Sequence, residues 1–234
     1  MNVLGMFGRL PVAGRTKTRL AADVGAQAAA DLYAGFVEDL LDRCGALADQ
    51  FVMAVTPKSD ECEAWFYPRL PDRAALWFQP DGDLGCRIDA FFQHAFELTS
   101  EDADGSKDRK VVLIGSDSPD LPTSILTRAF GELEHHDVVL GPAADGGFTL
   151  IGLRQLVTGL WHDVPFSCAT TLLATLRSAA RLGLQATLLP LWYDVDTIDN
   201  LGALQSLQEF QNEAAPCPRT LKVLQRLDRS ARAT

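Results

Sequence analysis

The chain has 234 residues, 47% of them hydrophobic and 22% charged, which is enough to bury a sizeable core and unlike a disordered or fibrous composition. A formal net charge of -10 argues against a general nucleic-acid binder, whose affinity is built from clustered lysine and arginine. The five cysteines are widely spaced with no C-x-x-C pair, and no apolar run approaches the roughly 20 residues that span a bilayer, so one cytoplasmic domain with reduced thiols is expected.

The N-terminal NVLGMF is apolar but short, and its positive charges follow it, the reverse of a secretory signal. Residues 2–7 predict a first strand, followed by a Gly- and Pro-containing loop from Gly8 to Thr18 and an Ala-rich helix from about Gln27 to Cys44. Strands are expected at 51–56 and 74–78, with a short helix at 61–66 between them and a longer one from Leu84 to Leu98. Residues 100–110, SEDADGSKDRK, are nearly all polar and read as a surface loop.

An apolar run from Val111 then stops at Gly115, and a helix is expected from Pro122 to about Glu134. Two further strands, 137–142 and 147–153, precede a helix at 170–181, a strand near 187–192 and a helix at 198–211. From Pro216 onward, Leu221, Leu224 and Leu227 at helical spacing predict an amphipathic terminal helix packed on the sheet. The alternation of strands and helices points to α/β architecture with a mostly parallel sheet.

Five segments carry candidate chemistry. In GRLPVAGRTKTRL (8–20), Arg9, Arg15, Lys17 and Arg19 gather without an acidic residue inside an acidic protein, so the loop is either phosphate-binding or simply a solvated basic loop. It lacks the Walker A spacing. In QPDGDLGCR (79–87), Asp83 reads as the N-cap of the following helix, and the two glycines leave room for a ligand or a neighbouring strand.

In VVLIGSDSPDLP (111–122), Asp117 stands at a strand end where Mg²⁺ or Mn²⁺ could be held, or it is a turn former before Pro119. Asp120 reads as a turn residue. In GPAADGGF (141–148), Asp145 belongs either to a hairpin turn or to a group facing a substrate. D-V-D-T at 194–197 resembles, in isolation, the nucleophile motif of haloacid-dehalogenase-type phosphatases, but only about forty residues follow it, too few for the remaining strands of that fold. Asp194 and Asp196 are therefore read as a second carboxylate pair, with capping as the alternative. The four histidines have no metal-ligand spacing and read as structural or surface residues; Ser167 and Cys168 read as residues of a helix start.

Taken in this order, P-V-A-G-R-T-K-T-R-L, Q-P-D-G-D-L-G-C-R, I-G-S-D-S-P-D-L-P, G-P-A-A-D-G-G-F and D-V-D-T resemble the DUF2064 family, grouped with glycosyltransferases of the GT-A, or nucleotide-diphospho-sugar transferase, superfamily. The same fold hosts guanylyltransferase-like nucleotidyltransferases. The resemblance implies a single three-layer α/β/α domain over 1–234 with a mixed, mostly parallel central sheet. Its nucleotide-binding half would span about 1–122, its acceptor half 123–215 and its terminal helix 216–234.

Arg15, Lys17 and Arg19 would contact nucleotide phosphates, and Gln79 and Asp83 join them as nucleotide-binding candidates. Asp117 would be the metal ligand of the D-x-D region, although a strict D-x-D is missing, and Asp194 and Asp196 would complete the Mg²⁺ or Mn²⁺ site. Asp145 would face the acceptor and serve as base if the reaction inverts. The implied activity is metal-dependent transfer from a nucleotide sugar to a small-molecule acceptor. Nucleotidyl transfer from an NTP to a phosphorylated small molecule, or nucleotide-sugar binding without catalysis, are the alternatives. Phe148 stands where relatives generally carry Tyr, and Pro165-Phe166-Ser167 where they tend to carry Trp-Ser, which points to a different acceptor.

Overall fold

The structure is a computed structural model that describes residues 1–98, 109–210 and 216–231. The polar loop expected at 100–110 falls mostly outside the described residues, as does the boundary drawn between acceptor half and terminal helix. Seven strands form one sheet in the order β3-β2-β1-β4-β6-β5-β7. They are β1 (Asn2–Arg9), β2 (Gln50–Thr56), β3 (Ala75–Phe78), β4 (Lys110–Ile114), β5 (Val138–Pro142), β6 (Phe148–Leu153) and β7 (Ala186–Leu188). All neighbouring pairs are parallel except those of β6, which runs antiparallel to both β4 and β5. The sheet is mixed and mostly parallel.

The strands are apolar throughout because both faces are covered. Phe51, Met53 and Val55 of β2 and Val112 and Ile114 of β4 point into one hydrophobic cluster. Their neighbours Val52, Ala54, Val111 and Leu113 point into the other. Helix α2 (Ala26–Cys44) covers the first face through Leu32, Phe36 and Leu40, and α5 (Thr123–Glu132) adds Leu126 and Phe130. Helix α4 (Leu84–Glu97) covers the opposite face through Ile88, Phe91 and Phe92, with α6 (Thr171–Arg181) contributing Ala179. This is the expected three-layer α/β/α arrangement.

Gly5 shows how tightly the second face is packed. A Cβ there would stand 2.0 Å from Cζ of Phe91, a fully buried ring held edge-on by Phe7 and Phe92. Gly5→Ala is accordingly expected to cost about 2–3 kcal/mol through overpacking, read as a lower urea midpoint with an unchanged slope. An unchanged midpoint would show that α4 can shift outward freely.

Two elements differ from the sequence reading. A helix α1 (Thr18–Val24) follows the basic loop directly and is separated from α2 by Gly25, whose φ of 87° a glycine tolerates. Strand β7 ends at Leu188 instead of continuing to 192, because Pro190 has no N–H to continue the ladder; a single bridge between Ala143 and Trp192 resumes contact with β5's end. Helices α3 (Asp60–Phe66), α7 (Ile198–Phe210) and α8 (Pro218–Ala231) complete the fold. Leu224 of α8 is buried and Leu221 and Leu227 pack on the core, as the amphipathic pattern predicts, but the helix lies chiefly against α2 and not on the sheet. Among the described residues no helix is long and apolar enough to cross a membrane.

Candidate functional site

The chain runs from β1 outward to β2 and β3, then returns to the other side of β1 with β4. Ligands in open α/β sheets bind at such a switch point, beyond the carboxyl ends of the strands. There the structure has a cleft of 540 Å³, lined by the basic loop, the ends of β1, β2 and β4, the start of α4, and the β5–β6 turn. Of the sequence candidates, Arg15, Lys17, Arg19, Gln79, Asp117, Asp145, Asp194 and Asp196 all line it.

The basic loop is folded back on itself by Thr16, whose buried Oγ accepts from Val12 N at 3.1 Å and donates to Leu10 O at 3.3 Å. Lys17 follows in a left-handed conformation, φ 50° and ψ 49°, at the start of α1. That geometry is uncommon for a residue with a Cβ, and here it turns the side chain inward until only 4% of it is exposed. The ammonium lies 2.6 Å from Asp117 Oδ1 and 2.7 Å from Asp196 Oδ1, with the Phe36 ring centroid 5.4 Å away. Arg19, largely exposed, reaches Asp196 Oδ2 at 3.3 Å.

Asp117 owes its place to the end of β4. Gly115 N still donates to Thr149 O, while the following turn is gripped by Arg43 of α2, whose guanidinium donates to Pro119 O and Leu121 O. On either side of Asp117, Ser116 Oγ meets the buried Tyr33 hydroxyl at 2.7 Å, and Ser118 Oγ donates to Asp194 Oδ1 at 2.7 Å. Val195 N donates to Asp117 O, joining the 194–196 segment to the same strand end. Burial first of all, and then the Asp117 and Asp196 charges, push the Asp194 carboxyl up to about 6 against the pull of Ser118 and Lys17.

Asp117 and Asp196 each turn one oxygen toward a single cation position, the one that Lys17 Nζ takes. Hard oxygen ligands in this number suit Mg²⁺ or Mn²⁺, which commonly bind through one or two carboxylates plus substrate phosphates. The pair fits such an ion. Among the described residues, however, no group of three or more His, Cys, Asp or Glu is arranged to hold a metal. Asp194 is turned toward Ser118.

Gln79 is anchored at the base of the cleft, its Nε2 donating to Ala54 O at 2.8 Å and Gly8 O at 3.3 Å. Asp83 caps α4, accepting from Cys86 N at 2.8 Å, which is the role its position predicts; it does not line the cleft. Asp145 forms the turn and also borders the cleft. It sits in the β5–β6 turn with Oδ1 accepting from Gly147 N at 2.9 Å, and it lines the far end of the cleft. Gly146 (φ 90°) allows this turn to approach α6, since a Cβ there would lie 2.2 Å from Ala169 O.

Phe148 lines the cleft, and Phe166 packs beside Gly85 and Trp161. Asp120 is in the turn that Leu121 N closes onto Ser118 O, as its position predicts, and is also a buried acceptor for Trp192 Nε1 at 3.2 Å and Tyr193 OH at 2.6 Å. The sequence reading also missed Tyr33, Ser116 and Ser118. The serines flank Asp117 and could have been noticed there, whereas nothing local marks Tyr33 within an apolar helix.

A solved structure from Desulfovibrio desulfuricans G20, provisionally described as a nucleotide-diphospho-sugar transferase, is 30% identical, with 98% of this chain and 97% of that one aligned at a TM-score of 0.84. The 4-diphosphocytidyl-2C-methyl-D-erythritol synthase of Anaerococcus prevotii DSM 20548 shares the fold at 7% identity and a TM-score of 0.55, covering 88% of this chain and 98% of its own. A second synthase of that name does so at 11% identity and a TM-score of 0.52, covering 88% and 97%. No curated protein matches the chain. The family described as "Uncharacterized protein conserved in bacteria (DUF2064)" matches residues 41–168, more than half of the sequence, and the chain belongs to it.

Proposed function

We propose that the protein transfers a glycosyl group from a nucleotide-diphospho-sugar to a small-molecule acceptor, with Mg²⁺ or Mn²⁺ held by Asp117 and Asp196. The observation that carries this reading is the meeting of the basic loop with these two carboxylates in one cleft at the sheet's switch point. An ion bound there supplies Lewis-acid neutralisation of the charge that develops on a departing nucleoside diphosphate. Arg15, Lys17 and Arg19 share that charge as hydrogen-bonding cations. Because both Gln79 donors are directed at backbone carbonyls, its Oε1 is left to accept from an N–H on a nucleobase. Asp83 acts indirectly, by fixing the start of α4 beside the cleft.

At the far end, the second Asp145 oxygen is the base for an acceptor hydroxyl. The acceptor oxygen bonds to the anomeric carbon, the bond from that carbon to the donor's phosphate oxygen breaks, and the hydroxyl proton passes to Asp145. The cytoplasm, where such donors are made, is the compartment this reading implies.

The test is to titrate the protein with UDP-, GDP-, CDP- and dTDP-sugars and with NTPs, with and without Mn²⁺, and to identify the products. Release of nucleoside diphosphate from a sugar donor is expected. Pyrophosphate released only from an NTP and a phosphorylated small molecule would replace this reading with nucleotidyl transfer. Binding without turnover would make the protein a nucleotide-sugar binder.

A further inference from the structure

We infer that Lys17 is an internal stand-in for the divalent cation, and that its displacement by a diphosphate couples nucleotide binding to metal binding. The inference rests on the nucleotide and metal reading proposed above. The ammonium lies within 2.7 Å of one oxygen of Asp117 and one of Asp196, so it is centred where a metal ion bound by the same two oxygens would lie. Metal–oxygen bonds of roughly 2.0–2.1 Å to those atoms leave no room for Nζ beside the ion. The two cations therefore exclude each other.

Lys17 cannot simply be released to water, because its side chain is almost wholly buried against Phe36. A buried charge that loses its partner pays heavily in lost solvation unless a new anion replaces it. A diphosphate in the cleft is such an anion, with Arg15 on the same loop and Arg19 in the first turn of α1 to hold it. The left-handed backbone at Lys17 marks the position whose geometry holds the ammonium inward. Metal alone must strand an ammonium, and nucleotide alone must approach two carboxylates. Together each removes the other's obstacle, and by linkage the enhancement is equal in both directions.

Mn²⁺ binding measured by electron paramagnetic resonance separates this from a lysine that only touches phosphate. Lys17→Met and Lys17→Gln are expected to bind Mn²⁺ without nucleotide about tenfold more tightly than the native protein. Nucleoside diphosphate should tighten Mn²⁺ binding about tenfold or more in the native protein and clearly less in the variants. Lys58→Gln, which removes an exposed charge that does not line the cleft, should leave binding of Mn²⁺ alone nearly unchanged.

On the native protein, saturating Mn²⁺ should raise acetylation of Lys17 relative to the exposed Lys58, a readout that holds even if the variants fail to fold. The coupling is overturned if folded Lys17 variants bind Mn²⁺ no more tightly, if Lys58→Gln gives the same gain, or if Mn²⁺ leaves Lys17 as unreactive as before. Mn²⁺-supported nucleotide binding that persists in any of those cases leaves the functional reading standing. Native protein that binds no nucleoside diphosphate with Mn²⁺ overturns both.

Discussion

Asp117→Asn is expected to weaken Mn²⁺-supported binding of a nucleoside diphosphate by about a hundredfold or more and to abolish turnover, with the fold intact. The substitution keeps the shape of the side chain and removes its charge. One of the two oxygens that converge on the cation position becomes neutral, and the other, on Asp196, remains shared with Lys17 and Arg19. The stability cost is small by comparison, about 1 kcal/mol, because Lys17 keeps Asp196 and the Asp117 side chain is 45% exposed.

Asp120→Asn, three residues away, should give the opposite pattern. Its oxygens serve Trp192 and Tyr193, so stability falls while Mn²⁺-dependent binding survives. Calorimetric titration of both variants, with circular dichroism, reads the contrast directly. Equal nucleotide affinity for native and Asp117→Asn protein would remove Asp117 from the site.

The contrast between these two aspartates shows what the sequence carries and what it does not. Asp117 was legible because its signal is local: an apolar run long enough for a strand, a glycine, then a carboxylate. The sheet was legible for the same reason, since strands covered on both faces need apolar residues at every position. The turn at Asp120 was legible too, but its bonds to Trp192 and Tyr193 were not, because those partners lie more than seventy positions away and meet it only through the return of the chain past β5.

Lys17 is the sharpest case. Its charge pointed correctly to the cleft, but its pairing with Asp117 and Asp196 depends on one left-handed backbone residue and on the buried Thr16 bonds, which composition does not encode. Asp145 was ambiguous in sequence between turn and site. Its place in a turn that borders the cleft is compatible with either reading, so position alone does not separate them.

A second large effect is expected outside the cleft lining, at the junction of α2 and α8. Asp39 is 1% exposed and receives three donors from the start of α8: Arg219 N at 3.0 Å, Thr220 N at 2.9 Å and Thr220 Oγ1 at 2.7 Å. The backbone of Thr220 comes this close because residue 35 is glycine; a Cβ there would lie 3.1 Å from it. Asp39→Ala removes the cap and leaves buried donors without an acceptor, for a combined cost of about 3–5 kcal/mol. For a domain of this size that corresponds to a fall in Tm of roughly 10 °C.

Asp39→Asn should recover only part of the loss, because its amide presents one acceptor oxygen and an N–H₂ group to three donors. Hydrogen exchange across 218–231 should accelerate more than exchange in β1 or β4, since α8 meets the domain chiefly through α2. Uniform acceleration across the sheet would instead mean that the terminal helix and the core unfold as one cooperative unit.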